Sequence, residues 1–204
     1  MPQGLAGATE ACMSNDPFAL FAEWLAAAWE SEPSDANAMA LATVSPTGQP
    51  SVRVVLLKDW NDSGFVFYTN LDSHKGNDIA ANALVGLDFH WKSRGRQVRI
   101  EGRAEPVTAA EADAYFATRP RDSQLGAWAS DQSRPMTARA TFDERFAAAT
   151  TRFADGDVPR PPRWSGFRVV PSAIEFWEAR DYRHHDRTRY MRSDGGWAGS
   201  LLFP

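Results

Sequence analysis

The spacing of apolar residues changes several times along this chain, and each change marks an element. Phe18, Leu20, Phe21, Trp24, Leu25 and Trp29 fall mostly three and four apart. They follow Asp16-Pro17, an N-cap and a first-turn proline, and so predict an amphipathic helix. From residue 39 the pattern shifts to short apolar runs between turn sequences. Residues 39–44 (MALATV), 51–60 (SVRVVLLKDW) and 65–70 (FVFYTN) are three strands, separated by SPTGQ and NDSG turns, and predict an antiparallel meander. Residues 72–82 read as a short helix capped by Asp72 or Ser73. Residues 84–91 and 96–106 are two further strands around a tight connection. Five such strands with one inserted helix close most naturally into a small barrel.

Beyond the barrel the period returns to that of a helix over 108–118, which Pro120 ends. A second helix can begin within 119–133, and a third spans 141–153. The Pro-rich stretch 155–163 is a surface loop. Residues 164–177 regain strand character, broken by Pro171, and 183–192 with 197–203 form a last strand pair around an SDGG turn. Strands lie on both sides of the helices, so 16–204 reads as one domain of α+β class, mainly β. Residues 1–15 are small, polar and Gly-bearing, and are expected to be mobile.

Composition narrows the function. With 204 residues and 43% hydrophobic content the chain can bury a substantial core. A net charge of −4 and a pI near 5.6 argue against nucleic acid or a membrane surface as partner. Cys12 is the only cysteine, so there is neither a disulfide framework nor a zinc signature, which fits a reducing compartment. With no signal-peptide pattern and no apolar run of about 18 residues, the chain reads as a soluble, cytoplasmic protein.

Against that acidic balance, clusters of cations stand out. The stretch 119–133 (RPRDSQLGAWASDQS) places Arg119 and Ser123 where one helix ends and another starts. Helix N-termini offer free N–H groups and a positive dipole end, and Arg adds a planar fork of donors suited to phosphate. A polar helix–helix turn is the plainer reading. Arg53 and Lys58 interrupt an apolar strand, where a charge must be paired or face a ligand. Their odd separation puts them on opposite faces of an ideal strand, so either the strand is bulged or they touch different parts of one ligand. Tyr68, Thr69, Ser73, His74 and Lys75 gather hydroxyls, N–H groups and a cation at a strand-to-helix junction, a plausible phosphate cradle without the glycines of a Walker loop. Gln97 shares a strand face with Arg99 and Glu101. In 181–190 (DYRHHDRTRY), an extended chain would align Arg183, His185, Arg187 and Arg189 on one face, beside the aromatic pair Phe176-Trp177. Adjacent His184 and His185 would point to opposite faces with no third ligand, so no metal site is expected. No nucleophile is paired with a base, which leaves the chemistry to a cofactor. Separate cationic sites ask for a ligand with several anionic groups, or for two phosphorylated ligands.

RVVLLK (53–58), FYTN (67–70), S-x-K (73–75), RQVR (96–99), YFATRPRDSQLGAWASDQS (115–133), FW (176–177) and RHHDR (183–187) together resemble the pyridoxamine/pyridoxine 5′-phosphate oxidases. The order and spacing agree from Asp16 to the C-terminus, and RPRDSQ-x-GAW-x-S-x-QS is the specific part. The resemblance implies an antiparallel split β-barrel with flanking helices, working as a homodimer with FMN at the interface. It implies cofactor contacts at Arg53, Lys58, Tyr68, Thr69, His74, Lys75, Gln97, Gln132, Ser133, Trp177 and Arg187. Substrate contacts would fall on Lys58, Tyr115, Arg119, Ser123, Arg183 and His185, the last two bordering the reacting carbon as catalytic residues. The implied reaction oxidises pyridoxamine or pyridoxine 5′-phosphate to pyridoxal 5′-phosphate, with O2 as acceptor and H2O2 as product. In this reading 119–133 has two ends, Arg119–Ser123 for the substrate phosphate and Gln132-Ser133 for FMN. Three positions depart from the family pattern: His74 for an Arg, His184 for a Leu and Leu201 for an Arg. The competing readings are a related flavin oxidase of phenazine type and a non-catalytic FMN or pyridoxal-phosphate binding protein.

Overall fold

The computed structural model describes residues 16–204; Cys12 and the mobility expected of 1–15 lie outside it. The first helix, α1 (Pro17–Trp29), is capped by the Asp16 carboxylate, which accepts from the Phe18 N–H. It buries Phe18, Phe21, Trp24 and Leu25. The Phe21 ring is fully buried and meets Phe65, Phe89 and Trp60 edge-on at 5.0, 5.2 and 5.2 Å. One face of the sheet is thus plugged by a helix, which gives the curled sheet its core.

The strands are β1 (Ala38–Val44), β2 (Pro50–Leu56), β3 (Asp59–Asn61), β4 (Gly64–Asn70), β5 (Leu84–Trp91), β6 (Arg96–Pro106), β7 (Trp164–Glu178), β8 (Asp186–Ser193) and β9 (Gly196–Leu201). All pairings are antiparallel, and the main path runs β2-β1-β5-β6-β7-β4-β3, with β8 and β9 branching from β7. The expected barrel strands are therefore present, but they are not a simple meander. β2 and β4 are not neighbours; β4 pairs instead with the first half of β7, nearly a hundred residues later. The expected strand at 51–60 also splits. Leu57 and Lys58 turn a corner, Leu57 donating to the Asn37 carbonyl and Lys58 to that of Val66. Pro171 does not break β7. It sits opposite Gly102 where the β6–β7 register shifts, with Ser172 left out of the pairing, which is the bulge position that tolerates proline. A side chain at Gly102 would meet the Val170 carbonyl oxygen at 2.4 Å, so only glycine permits this approach.

The helix α2 (His74–Ala81) is inserted after β4 and capped by Ser73. Three more, α3 (Ala109–Thr118), α4 (Arg121–Ala129) and α5 (Arg139–Arg152), lie between β6 and β7. Thr108 and Glu111 close a capping box on α3. A second apolar cluster of Phe116, Leu125, Ala149, Val158 and Trp164 seats these helices on the start of β7. Among the described residues no helix is long and apolar enough to cross a membrane.

Candidate functional site

Between β2, the β4–α2 junction and the α3–α4 pair lies a cavity of about 820 Å³, a volume typical of small-molecule and cofactor sites. Arg53, Lys58, Tyr68, Thr69, His74, Lys75, Tyr115, Arg119, Ser123, Gln132 and Ser133 all line it. Local structure explains how each arrives there. The corner at Leu57-Lys58 answers the odd spacing of Arg53 and Lys58, since the two sit on either side of a bend and reach one cavity. At the end of β4, Tyr68 and Thr69 run straight into the N-terminal turn of α2, which supplies His74 and Lys75. Pro120 caps α4 without a side-chain hydrogen bond, and the flanking Arg119 and Ser123 both face the cavity. Ser133 adopts a left-handed backbone, φ 69°, uncommon for a non-glycine residue. Both ends of 119–133, Arg119–Ser123 and Gln132-Ser133, line this one cavity.

Lys58 is exposed, but Arg53, Lys75 and Arg119 are partly or wholly withdrawn from water. Arg53 donates to the Leu41 carbonyl at 3.2 Å, to Thr43 Oγ1 at 2.6 Å and to Ser51 Oγ at 2.8 Å. The Thr43 hydroxyl in turn donates to the buried Asp78 carboxylate at 2.7 Å, whose charge lies 3.8 Å from Arg53. Burial still pushes the Arg53 pKa down, with Asp78 opposing. Lys75 Nζ donates to Gln132 Oε1, Thr69 Oγ1 and Ser73 Oγ at 2.8, 3.1 and 3.3 Å. Burial, with nearby Arg53, lowers its pKa from 10.5 to about 8. His74 Nε2 lies 3.6 Å from Asp78 Oδ1. Burial also lowers Arg119, which pairs with no carboxylate among the described residues, and its buried Nη1 has no hydrogen-bond partner. Its guanidinium carbon lies 4.9 Å from the centre of the Trp164 ring. Cations held at a desolvation cost and facing a cavity suit an anion, and a stack of Tyr68, Tyr115 and Trp164 gives the cavity an aromatic wall.

Gln97, Trp177, Arg183, His185 and Arg187 do not line this cavity. Gln97, Trp177 and Arg187 sit side by side on β6, β7 and β8, where Gln97 pairs with Trp177 and Trp177 with Arg187, while Arg183 and His185 precede β8. The His185 ring lies 4.5 Å from that of Trp177. The expected single face of Arg183, His185, Arg187 and Arg189 is not formed. Asp181–Arg183 is a 3₁₀ turn in which Tyr182 and Arg183 have φ of 55° and 65°, and β8 starts only at Asp186. Arg187 Nε donates to the buried Glu175 at 2.8 Å, and Arg99 pairs with the same carboxylate. Burial works to raise the Glu175 pKa, but the hydrogen bonds from Arg187 and Arg99 outweigh it and hold the carboxyl below its ordinary range. Glu175, Asp78, Thr43 and Trp164 escaped the sequence reading. The spacing of His74 and Asp78 on one helix face was the only signal for any of them. Among the described residues no cluster of metal-ligating side chains occurs.

Comparison with known proteins gives a consistent answer. The sequence profile described as pyridoxamine 5′-phosphate oxidase matches residues 25–153. A second, the pyridoxine 5′-phosphate oxidase C-terminal dimerisation region, matches 164–204. The pyridoxine/pyridoxamine 5′-phosphate oxidase of Sphingopyxis alaskensis is 62% identical over 94% of this chain and 89% of its own. That of Gluconobacter oxydans is 59% identical over 93% and 94%. Among solved structures, PhzG from Burkholderia lata 383 in complex with tetrahydrophenazine-1-carboxylic acid superposes with a TM-score of 0.89 at 30% identity, covering 98% of both chains. A pyridoxamine 5′-phosphate oxidase-related, FMN binding protein from Nostoc punctiforme shares the fold at 16% identity and a TM-score of 0.74, over 94% of this chain and all of its own. With most of the chain matched by the profiles and by relatives of this identity, the chain belongs to the pyridoxamine 5′-phosphate oxidase family.

Proposed function

We infer that this chain is an FMN-dependent oxidase of phosphorylated B6 vitamers. It converts pyridoxamine 5′-phosphate and pyridoxine 5′-phosphate to pyridoxal 5′-phosphate, with O2 as acceptor and H2O2 as product. The relatives named above carry this substrate class in their names. Within the molecule the reading rests on one observation: Arg119 lines the cavity with no carboxylate partner among the described residues, beside Arg53 and Lys75, whose charges are also held at a burial cost. Such a set suits two phosphates side by side.

FMN fits the residues present. Arg53, Lys75, Thr69, Gln132, Ser133 and His74 would hold it, and once bound it supplies the two-electron acceptor and the reactivity toward O2. Arg119 and Ser123 would grip the substrate phosphate, while Tyr115 and Lys58 border its ring. Holding both phosphates fixes the distance between substrate and cofactor, which is where positioning contributes to rate. The amine substrate loses two electrons and takes up water to release ammonia; the alcohol loses two electrons directly. The Gln97, Trp177, Arg183, His185 and Arg187 group would complete the site from a second copy of the chain. The dimerisation-region match at 164–204 supports that arrangement. So do Val52 and Val54 on β2, which line the cavity yet are 65% and 69% exposed.

A second reading, a phenazine-type flavin oxidase, draws on the fold match to the Burkholderia protein, whose bound carboxylic acid is also an anion. One assay separates the readings. Purified protein supplied with FMN and pyridoxamine 5′-phosphate should form pyridoxal 5′-phosphate and H2O2 one to one. Bound flavin without aldehyde would sink the proposal in favour of another substrate or a flavin carrier.

A further inference from the structure

Most buried or half-buried arginines in this fold lean on a carboxylate. Arg187 pairs with Glu175, Arg168 with Glu111 and Arg160 with Asp113. Among the described residues Arg119 does not. Its guanidinium carbon lies 4.9 Å from the Trp164 ring centre and 5.5 Å from that of Phe116, and its buried Nη1 has no partner among those residues. The difference matters chemically. A carboxylate would occupy the N–H edge and cancel the charge, and an incoming phosphate would have to displace it. A ring face attracts the cation from the side and leaves the N–H edge free.

We propose that Trp164 is a positioning residue that holds Arg119 ready for the substrate phosphate, an assignment resting on the phosphate role given to Arg119 above. Trp164 is itself held on several sides. The Tyr68 ring lies parallel to it, 5.3 Å away and within 1°, and the Phe116 ring meets it edge-on at 5.0 Å. Its backbone N–H donates to the Pro161 carbonyl at 2.9 Å, and its backbone carbonyl accepts from Arg160 at 2.7 Å. Gly166 completes the arrangement, since a Cβ there would fall 2.6 Å from the Tyr68 ring. The platform is only 7% exposed, yet it lines the cavity.

The test compares binding of pyridoxal 5′-phosphate with that of pyridoxal to the FMN-loaded protein. Trp164→Leu should weaken pyridoxal 5′-phosphate by about tenfold, the scale of a desolvated cation–π contact. Pyridoxal, which lacks the phosphate, should change less than about twofold. Trp164→Phe keeps a ring face and should stay within about threefold of the parent. In an Arg119→Ala background neither Trp164 change should weaken pyridoxal 5′-phosphate further, because the tryptophan acts through the arginine. Should Trp164→Leu fail to hold FMN, the Trp164→Phe loss and its disappearance in the Arg119→Ala background carry the same comparison. Equal weakening of both ligands, or an undiminished loss in the Arg119→Ala background, would overturn the role of Trp164. An unaltered protein that does not prefer pyridoxal 5′-phosphate to pyridoxal would overturn it together with the phosphate role of Arg119. A preference undiminished by Trp164→Leu overturns the tryptophan's part alone.

Discussion

Lys75 is the residue whose charge is held at the clearest cost. It sits among three oxygen acceptors, pairs with no carboxylate among the described residues, and titrates at about 8 because burial disfavours its charged form. The sign of the linkage follows. Between pH 8 and 10.5 the unfolded chain holds this proton more often than the folded one, so the ligand-free fold gains stability as pH rises through that window. An anion beside Lys75 raises its pKa again. Binding of inorganic phosphate or FMN near pH 8 should therefore take up as much as about half a proton per site. Affinity should then fall as pH rises past 8. Calorimetry in buffers of different ionisation enthalpy reads the uptake directly, and Lys75→Met should abolish it. Binding with no proton uptake in the parent would mean that Lys75 does not face the anion. Arg119 gives a second test at this scale. Removing a charged hydrogen bond to phosphate costs about 1.5–3 kcal/mol, so Arg119→Ala should raise KM for pyridoxamine 5′-phosphate by about ten- to a hundredfold. An unchanged KM would remove Arg119 from the phosphate site.

At the scale of elements, the β4–β7 pairing is what brings the site together. Tyr68 and Thr69 on β4 lie opposite Gly166 and Ser165 on β7, which sets the aromatic wall beside the phosphate cradle. Gly166→Ala would place a methyl 2.6 Å from the Tyr68 ring and 2.7 Å from the Phe67 carbonyl. We expect a loss of about 1–3 kcal/mol from such overpacking, seen as a lower urea midpoint together with weaker FMN binding. Wild-type stability and affinity in this variant would contradict the close approach. The same pairing marks the limit of sequence reading. Turn sequences and period changes located most strands and the α-helices, because those signals are local, but not the 3₁₀ turn at Asp181–Arg183. That β4 should pair with β7 rather than β2 depends on a partner nearly a hundred residues away, and nothing in FVFYTN names it. Pro171 looked like a breaker because its role depends on Gly102 across the sheet. Arg53, Lys75 and Arg119 stood out as charges in or beside apolar runs. Trp164 did not, because an aromatic at the head of an apolar strand reads the same whether it packs a core or carries a cation. Asp78 lay hidden in an ordinary polar helix, and only the fold shows it buried behind Thr43 and Arg53.

Across the whole molecule, the residues assigned to one reaction fall into two groups that a single chain does not bring into one cavity. Arg53, Lys75, Arg119 and Ser123 face the cavity, while Gln97, Trp177, His185 and Arg187 gather across β6, β7 and β8. Pairing each group with the other group of a second copy would resolve this. A two-fold dimer then carries two identical sites, each drawing on both chains. Subunit complementation tests this most directly. Arg119→Ala and Arg183→Ala proteins, each impaired alone, are unfolded together, refolded with FMN and assayed with pyridoxamine 5′-phosphate. In a mixed dimer one site inherits both changes and the other inherits neither. Random mixing should then restore about a quarter of the unaltered activity per chain, half of the dimers being mixed with one intact site each. Mixed dimers that form, yet show no activity above that of the separate variants, would mean that both arginines serve a site within one chain, and the two-chain assembly would be wrong.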